Sequence, residues 1–162
     1  MHRLSLTPRG RWRPLTAGEG ELCAEMFGQG LDPARVRLFA QPLNWPRRAF
    51  VAGPGLVVWP WRAALADFSA EGASLGAQAM FVHEMTHVWQ AQNGVNLFLA
   101  KLRAGDGPRA YAYDLEAGGD FAELNIEQQA MVVEHAFLVS RGARAPHAAE
   151  AYAAVSAGWR RA

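Results

Sequence analysis

At 162 residues the chain suits one compact domain, long enough to bury roughly two-thirds of the surface its unfolded form exposes. Hydrophobic residues make up 51% and charged residues 19%, and the net charge is +1. That balance excludes wholesale disorder and argues against a nucleic-acid binder that works by neutralising phosphates.

Residues 1–14 read as an N-terminal arm rich in proline and arginine, and residues 15–162 as a single domain. The arm lacks the continuous apolar core of a secretory signal, and no apolar run approaches membrane-spanning length. The expectation is a protein made in the cytoplasm with no membrane segment, with export by a machine that ignores cleavable signals left open. Arg3, Arg9, Arg11 and Arg13, with Arg160 and Arg161 at the other end, read as solvated tails rather than a site for an anionic partner.

Thr16-Ala-Gly-Glu19 has the form of a capping box: the threonine hydroxyl takes one orphan N–H and the glutamate reaches back to another. The spacing predicts a helix from there to Phe27, stopped by Gly28. Cys23, on this helix, is the only cysteine, which excludes an intrachain disulfide and cysteine-rich zinc sites; its apolar neighbours make it a buried structural thiol. Val36 to Ala40 reads as a short strand. Residues 50–52 and 56–59 flank Gly53-Pro-Gly55 as a hairpin. Residues 75–93 form the strongest helix candidate, free of proline and closed by Gly94. A second long helix is expected from Asn125, its cap, to Arg141, with Gln128 completing the box and Gly142 stopping it. Pro146 suits the first turn of a final helix reaching Trp159. Between the long helices, residues 105–120 form a looser stretch carrying Tyr111 and Tyr113.

The chemistry concentrates in His83-Glu84-Met85-Thr86-His87. Residues four apart share a helical face, so both imidazoles can converge on one ion. Zinc takes such nitrogens at about 2.0–2.1 Å in tetrahedral geometry. Glu84, beside the first histidine, can reach water in an open coordination position and act as general base. A catalytic zinc needs a third protein ligand. The extended metzincin pattern would require glycine at 90 and histidine at 93, where this chain has Gln90 and Asn93. A carboxylate from the second long helix is the next option, with Glu127 preferred and Glu123, Glu134 and His135 as rivals.

Glu134 lies two helical turns beyond Glu127 and on the same face. From there it can accept the free N–H of a ligand histidine, or stand as a solvated helix charge. His135, Tyr111 and Tyr113 are candidates for stabilising an oxyanion, although such residues more often pack or face solvent. His2 and His147 have no partner in the sequence and read as incidental. The expected reaction is hydrolysis of a peptide bond in a peptide or protein substrate.

The segment Met80-Phe-Val-His-Glu-Met-Thr-His-Val-Trp-Gln90, with Asn125-Ile-Glu-Gln-Gln-Ala130 downstream, resembles zincin-like metallopeptidases of the Vgr-related and Rhs-associated type. Leu15-Thr-Ala-Gly-Glu19, Met26-Phe-Gly28 and Leu31-Asp-Pro-Ala-Arg-Val-Arg37 are similar to the segment before the zinc motif in the metallopeptidase-like core domain of contractile injection systems. Ala49-Phe-Val-Ala-Gly53 and Val57-Val-Trp59 fit that family's strand pair. The resemblance spans residues 15–138 and implies a small α+β zincin-like (gluzincin) fold. A short sheet would pack on the active-site helix, with the glutamate helix behind. It implies zinc, His83 and His87 as ligands, Glu84 as base, Glu127 as third ligand, and a link to a secretion or injection apparatus. One departure stands out: better-known gluzincins carry an acidic residue four positions after the ligand glutamate, where this chain has Met131.

Two functions from different classes follow. One is a zinc peptidase acting without nucleic acid or membrane partners. The other is a zinc-stabilised, non-catalytic module that binds a secretion apparatus. The intact Glu84 favours the first, and the small size, which leaves little chain for an extended cleft, favours the second.

Overall fold

The computed structural model describes residues 4–43 and 45–160. His2, Arg3 and Arg161 lie outside that set. The architecture is α+β, with a four-stranded sheet and five α-helices.

The sheet contains β1 (Trp12–Pro14), β2 (Arg37–Gln41), β3 (Phe50–Val51) and β4 (Leu56–Pro60), in the order β1-β2-β4-β3. β2 and β4 run parallel, pairing Leu38 with Val57 and Ala40 with Trp59, while β1 and β3 are antiparallel at the edges. The hairpin joining β3 to β4 turns at Gly53, whose φ of 91° is open to glycine and strained for other residues. Gly55 meets a different constraint: a Cβ there would run into the carbonyl oxygen of Arg35.

The helices are α1 (Ala17–Phe27), α2 (Leu75–Gln92), α3 (Leu97–Ala104), α4 (Ile126–Ser140) and α5 (Ala149–Val155). Both expected capping boxes form, Thr16 with Glu19 and Asn125 with Gln128. Each satisfies two N–H groups that a helix start leaves unpaired. Gly142 follows α4 at φ 76°, the left-handed stop read from the sequence. α5 begins three residues later than expected: Pro146 lies outside it, and Ala148 occupies the cap position.

α2 is the centre of the molecule. Every residue from Phe81 to Gln90 is buried, because α4 packs along the helix while α1, α3 and the β3–β4 side of the sheet close around it. A helix buried on all sides accepts polar residues only where they are partnered. Phe81, Met85 and Val88 meet a core that includes Leu38, Val57, Phe68, Val133 and Phe137, each essentially inaccessible. Burying each such side chain contributes about 1.5–3 kcal/mol.

The N-terminal arm is built into this fold. Leu6 bridges to Leu65, and β1 extends the sheet. Arg13 is not a solvated arginine: its guanidinium donates to both carboxylate oxygens of Glu19 at 2.7 Å and to the Leu65 carbonyl at 2.9 Å. Glu19, fully buried, also accepts from the backbone N–H groups of Thr16 and Phe68. Arg160 donates to the Glu25 carbonyl. No helix among the described residues is long and apolar enough to cross a membrane.

Candidate metal centre

α2 presents His83 and His87 one turn apart, and the capped start of α4 presents Glu127 opposite them. Glu127 Oε2 lies 3.6 Å from His83 Nε2 and 3.4 Å from His87 Nε2, and the three donor atoms all fall within 4.8 Å of one another. Ligands held about 2.0–2.1 Å from a tetrahedral ion stand about 3.3–3.4 Å apart, so the carboxylate–imidazole separations match the edges of such a coordination polyhedron. This is the only such group of three among the described residues.

Each imidazole is fixed from behind. His83 Nδ1 lies 2.9 Å from Glu134 Oε2, and His87 Nδ1 lies 2.8 Å from Gln90 Oε1. With Nδ1 donating in both rings, each Nε2 faces the third donor, the arrangement a metal requires once that nitrogen carries no proton. Gln90 does more than hold a ring. Its amide donates to the Ile126 carbonyl at 3.0 Å and to Gln129 Oε1 at 2.9 Å, which binds the end of the His-bearing segment to the start of the Glu-bearing helix. Gln129 in turn donates to the Phe121 carbonyl.

The electrostatics are those of carboxylates and imidazoles crowded out of water. Burial pulls the His83 imidazole down, but the Glu127 and Glu134 carboxylates outweigh it and carry its pKa up to about 9. Burial pushes Glu127 up, and the two histidines overcome that and hold its carboxyl far below the usual range. Glu84 behaves oppositely: burial pushes it up, with His87 and His83 pulling against the shift. Glu84 is 5% exposed, and its Oε2 is buried with no hydrogen-bond partner. Glu127 Oε1 is likewise without a hydrogen bond, although Lys101 Nζ lies 3.2 Å away as an ion pair. The Glu84 oxygen left open in this way fits a site that accommodates a cation and water.

The other residues expected from the sequence divide. Glu134 takes the place behind His83 rather than standing as a solvated charge. Glu123 is spent on the backbone N–H of Asp120. Tyr111 lies within electrostatic reach of Glu127 and Lys101; burial, then Glu127, pushes its phenol up. Tyr113 and His135 engage each other, with the Tyr113 hydroxyl 2.5 Å from His135 Nδ1 and 2.8 Å from the Tyr152 hydroxyl. No described hydrogen bond joins either to His83, His87 or Glu127. His147 is not incidental: its ring packs on Tyr113 and Tyr152, and its Nε2 accepts from the Leu115 N–H. Two residues at the site escaped the sequence reading. Gln90 had a signal, since it lies three residues after His87 on the same helix. Lys101 had none, because the reading assigns no element to residues 95–104, where α3 lies.

No family model matches the chain. Among solved structures it is similar to the effector domain of Pseudomonas aeruginosa VgrG2b, at 33% identity and a TM-score of 0.68, over 92% of this chain and 84% of that one. The chain belongs to the VgrG2b effector-domain family. Among curated proteins it is 38% identical over 136 residues to the type VI secretion system spike protein VgrG2b of the same organism. That match takes in 78% of this chain and 13% of the spike protein, so the chain spans a small part of that relative. In this chain, the His-His-Glu group is a buried set of donors able to hold a metal ion.

Proposed function

We propose that this domain is a zinc-dependent metallopeptidase that serves as an effector of a type VI secretion spike. The observation that carries the reading is the spacing of His83 Nε2, His87 Nε2 and Glu127 Oε2, with the partnerless carboxylate oxygen of Glu84 one residue from the first ligand. Two imidazoles and a carboxylate suit zinc, and three donors rather than four favour a site that keeps a position open for water.

Zinc in such a site lowers the pKa of bound water and polarises a carbonyl. The chain's own residues do the rest. Glu84 takes the water proton on its carboxylate and passes it to the leaving amine. Glu134 and Gln90 hold the two rings in the required tautomer. Of the two loop tyrosines, Tyr111 is the candidate to donate to a developing oxyanion, since the Tyr113 hydroxyl is occupied by His135 and Tyr152. The link to a secretion spike is supported by the likeness to VgrG2b and its effector domain. The alternative, a zinc-stabilised module that binds without cleaving, finds less support, because a structural site has no use for an unpartnered Glu84.

The test compares zinc content and proteolysis in the wild-type domain and Glu84→Gln. The expectation is equal zinc in both and a fall in cleavage of about 10²–10⁴-fold, the usual worth of a general base. Equal cleavage by the two proteins would remove Glu84 from that role.

A further inference from the structure

Glu127 is held unevenly. Its backbone is fixed by the Asn125 cap, which accepts from the Glu127 N–H at 2.9 Å, and its Oε2 faces both imidazoles. Its second oxygen, Oε1, is buried without a hydrogen bond. One turn along α4 stands Met131, which offers no donor. A carboxylate with one free oxygen can rotate about its terminal torsion, so that either oxygen, or both, turns toward an ion.

The group beside Oε1 comes from another element. α3 turns Leu97, Ala100 and Ala104 inward, leaves Phe98 and Leu102 exposed, and places Lys101 on the shoulder between the two faces. From there the long side chain reaches across to within 3.2 Å of Oε1 while remaining half exposed. A cation on one oxygen leaves the other as the single donor to the site.

We propose that Lys101 is a positioning residue: from α3 it pins Glu127 Oε1, presents Oε2 alone to the metal site, and thereby sets metal affinity. The role rests on the reading of His83, His87 and Glu127 as ligands, but it is separate from peptidase activity. It competes with a contrary effect, since an ammonium beside a dication repels it. The two predict opposite signs, so affinity decides between them.

The experiment measures Zn²⁺ affinity by competition with a chromophoric chelator, and the visible absorption of the Co²⁺-substituted protein, for wild type, Lys101→Met and Lys101→Arg. Methionine preserves length without charge, and the exposed position leaves the fold intact, which far-ultraviolet circular dichroism of the metal-free proteins checks. The expected result is a loss of about tenfold or more for Lys101→Met, in the range typical of groups that orient a ligand. The Co²⁺ bands should shift with it, and Lys101→Arg should restore both. Unchanged or tighter binding by Lys101→Met overturns the proposal while leaving the metal centre in place. A wild-type domain that binds neither ion overturns both.

Discussion

Removing Glu134 tests the arrangement behind His83 quantitatively. In Glu134→Ala, the His83 Nδ1–H loses an acceptor at 2.9 Å, and the ring loses both its anchor and a nearby negative charge. Outer partners of metal-bound histidines are worth about 10–100-fold in affinity, or about 1.4–2.8 kcal/mol. A second consequence runs the other way. In the metal-free protein Glu127 and Glu134 hold the His83 pKa at about 9, so at pH 7 a proton occupies the ring and must leave before a metal binds. That competition weakens apparent affinity at pH 7 by up to about a hundredfold, and Glu134→Ala relieves part of it.

The two effects therefore offset near neutrality and separate above the folded pKa. With free Zn²⁺ fixed by a chelator buffer, the ratio of wild-type to variant affinity should widen as pH rises from 7 to 9.5. Isothermal titration in buffers of different ionisation enthalpy should show about one proton released per ion by the wild type at pH 7, and less by the variant. A ratio that stays flat or narrows with pH would refute the claim that Glu134 both orients and charges this ring. For the metal-free fold, the signs also follow. The raised His83 pKa contributes stability fully below its ordinary 6.5, and that contribution fades as pH climbs through about 9. The depressed Glu127 pKa contributes fully above its ordinary 4.5 and is lost as pH falls below it.

Two further predictions concern the scaffold. Glu19→Ala leaves the Arg13 guanidinium, 14% exposed, without its bidentate partner and orphans the Phe68 N–H, so a loss of about 3–5 kcal/mol is expected in urea unfolding. A change under about 1 kcal/mol would mean that the pair behaves like an exposed one. Cys23 is 1% exposed, and burial, with Glu19 nearby, pushes its thiol up to about 12. Ellman's reagent should therefore leave it untouched in the native domain at pH 8 and modify it fully in denaturant; rapid modification of the native protein would place the thiol elsewhere.

The sequence revealed what short-range rules govern. Thr16 and Asn125 announce helix starts because a capping box is a local hydrogen-bond pattern, and Gly142 announces a stop because few other residues tolerate its φ. The β3–β4 hairpin was legible from the glycines at its turn. The α+β class came from the family resemblance carried by residues 15–138, and the structure has it. Long-range pairing was out of reach. Nothing near Arg13 shows that its partner is Glu19, since the capping role already accounts for that glutamate. Leu97–Ala104 has strong helix formers, but its exposed Phe98, Leu99 and Leu102 mask the amphipathic pattern that identifies a surface helix. Its Lys101 thus went unseen, and His147 seemed isolated because Tyr113 and Tyr152 reach it only through the fold.

The placement of Glu84 sharpens the choice between enzyme and binding module. Its carboxylate is as enclosed as the ligands, yet one oxygen has no partner, and burial raises its pKa, so in the metal-free domain the environment works against its charge. For a module held together by His83, His87 and Glu127 alone, that charge is a cost with no return, and a neutral side chain of the same shape would serve better. A dication at the neighbouring donors reverses the local balance, because its double charge favours a nearby carboxylate far more than the two histidines do. The ability of Glu84 to accept a proton is therefore coupled to the loading of the same three donors. Fold stability by itself gives no reason for that coupling, whereas general-base hydrolysis does.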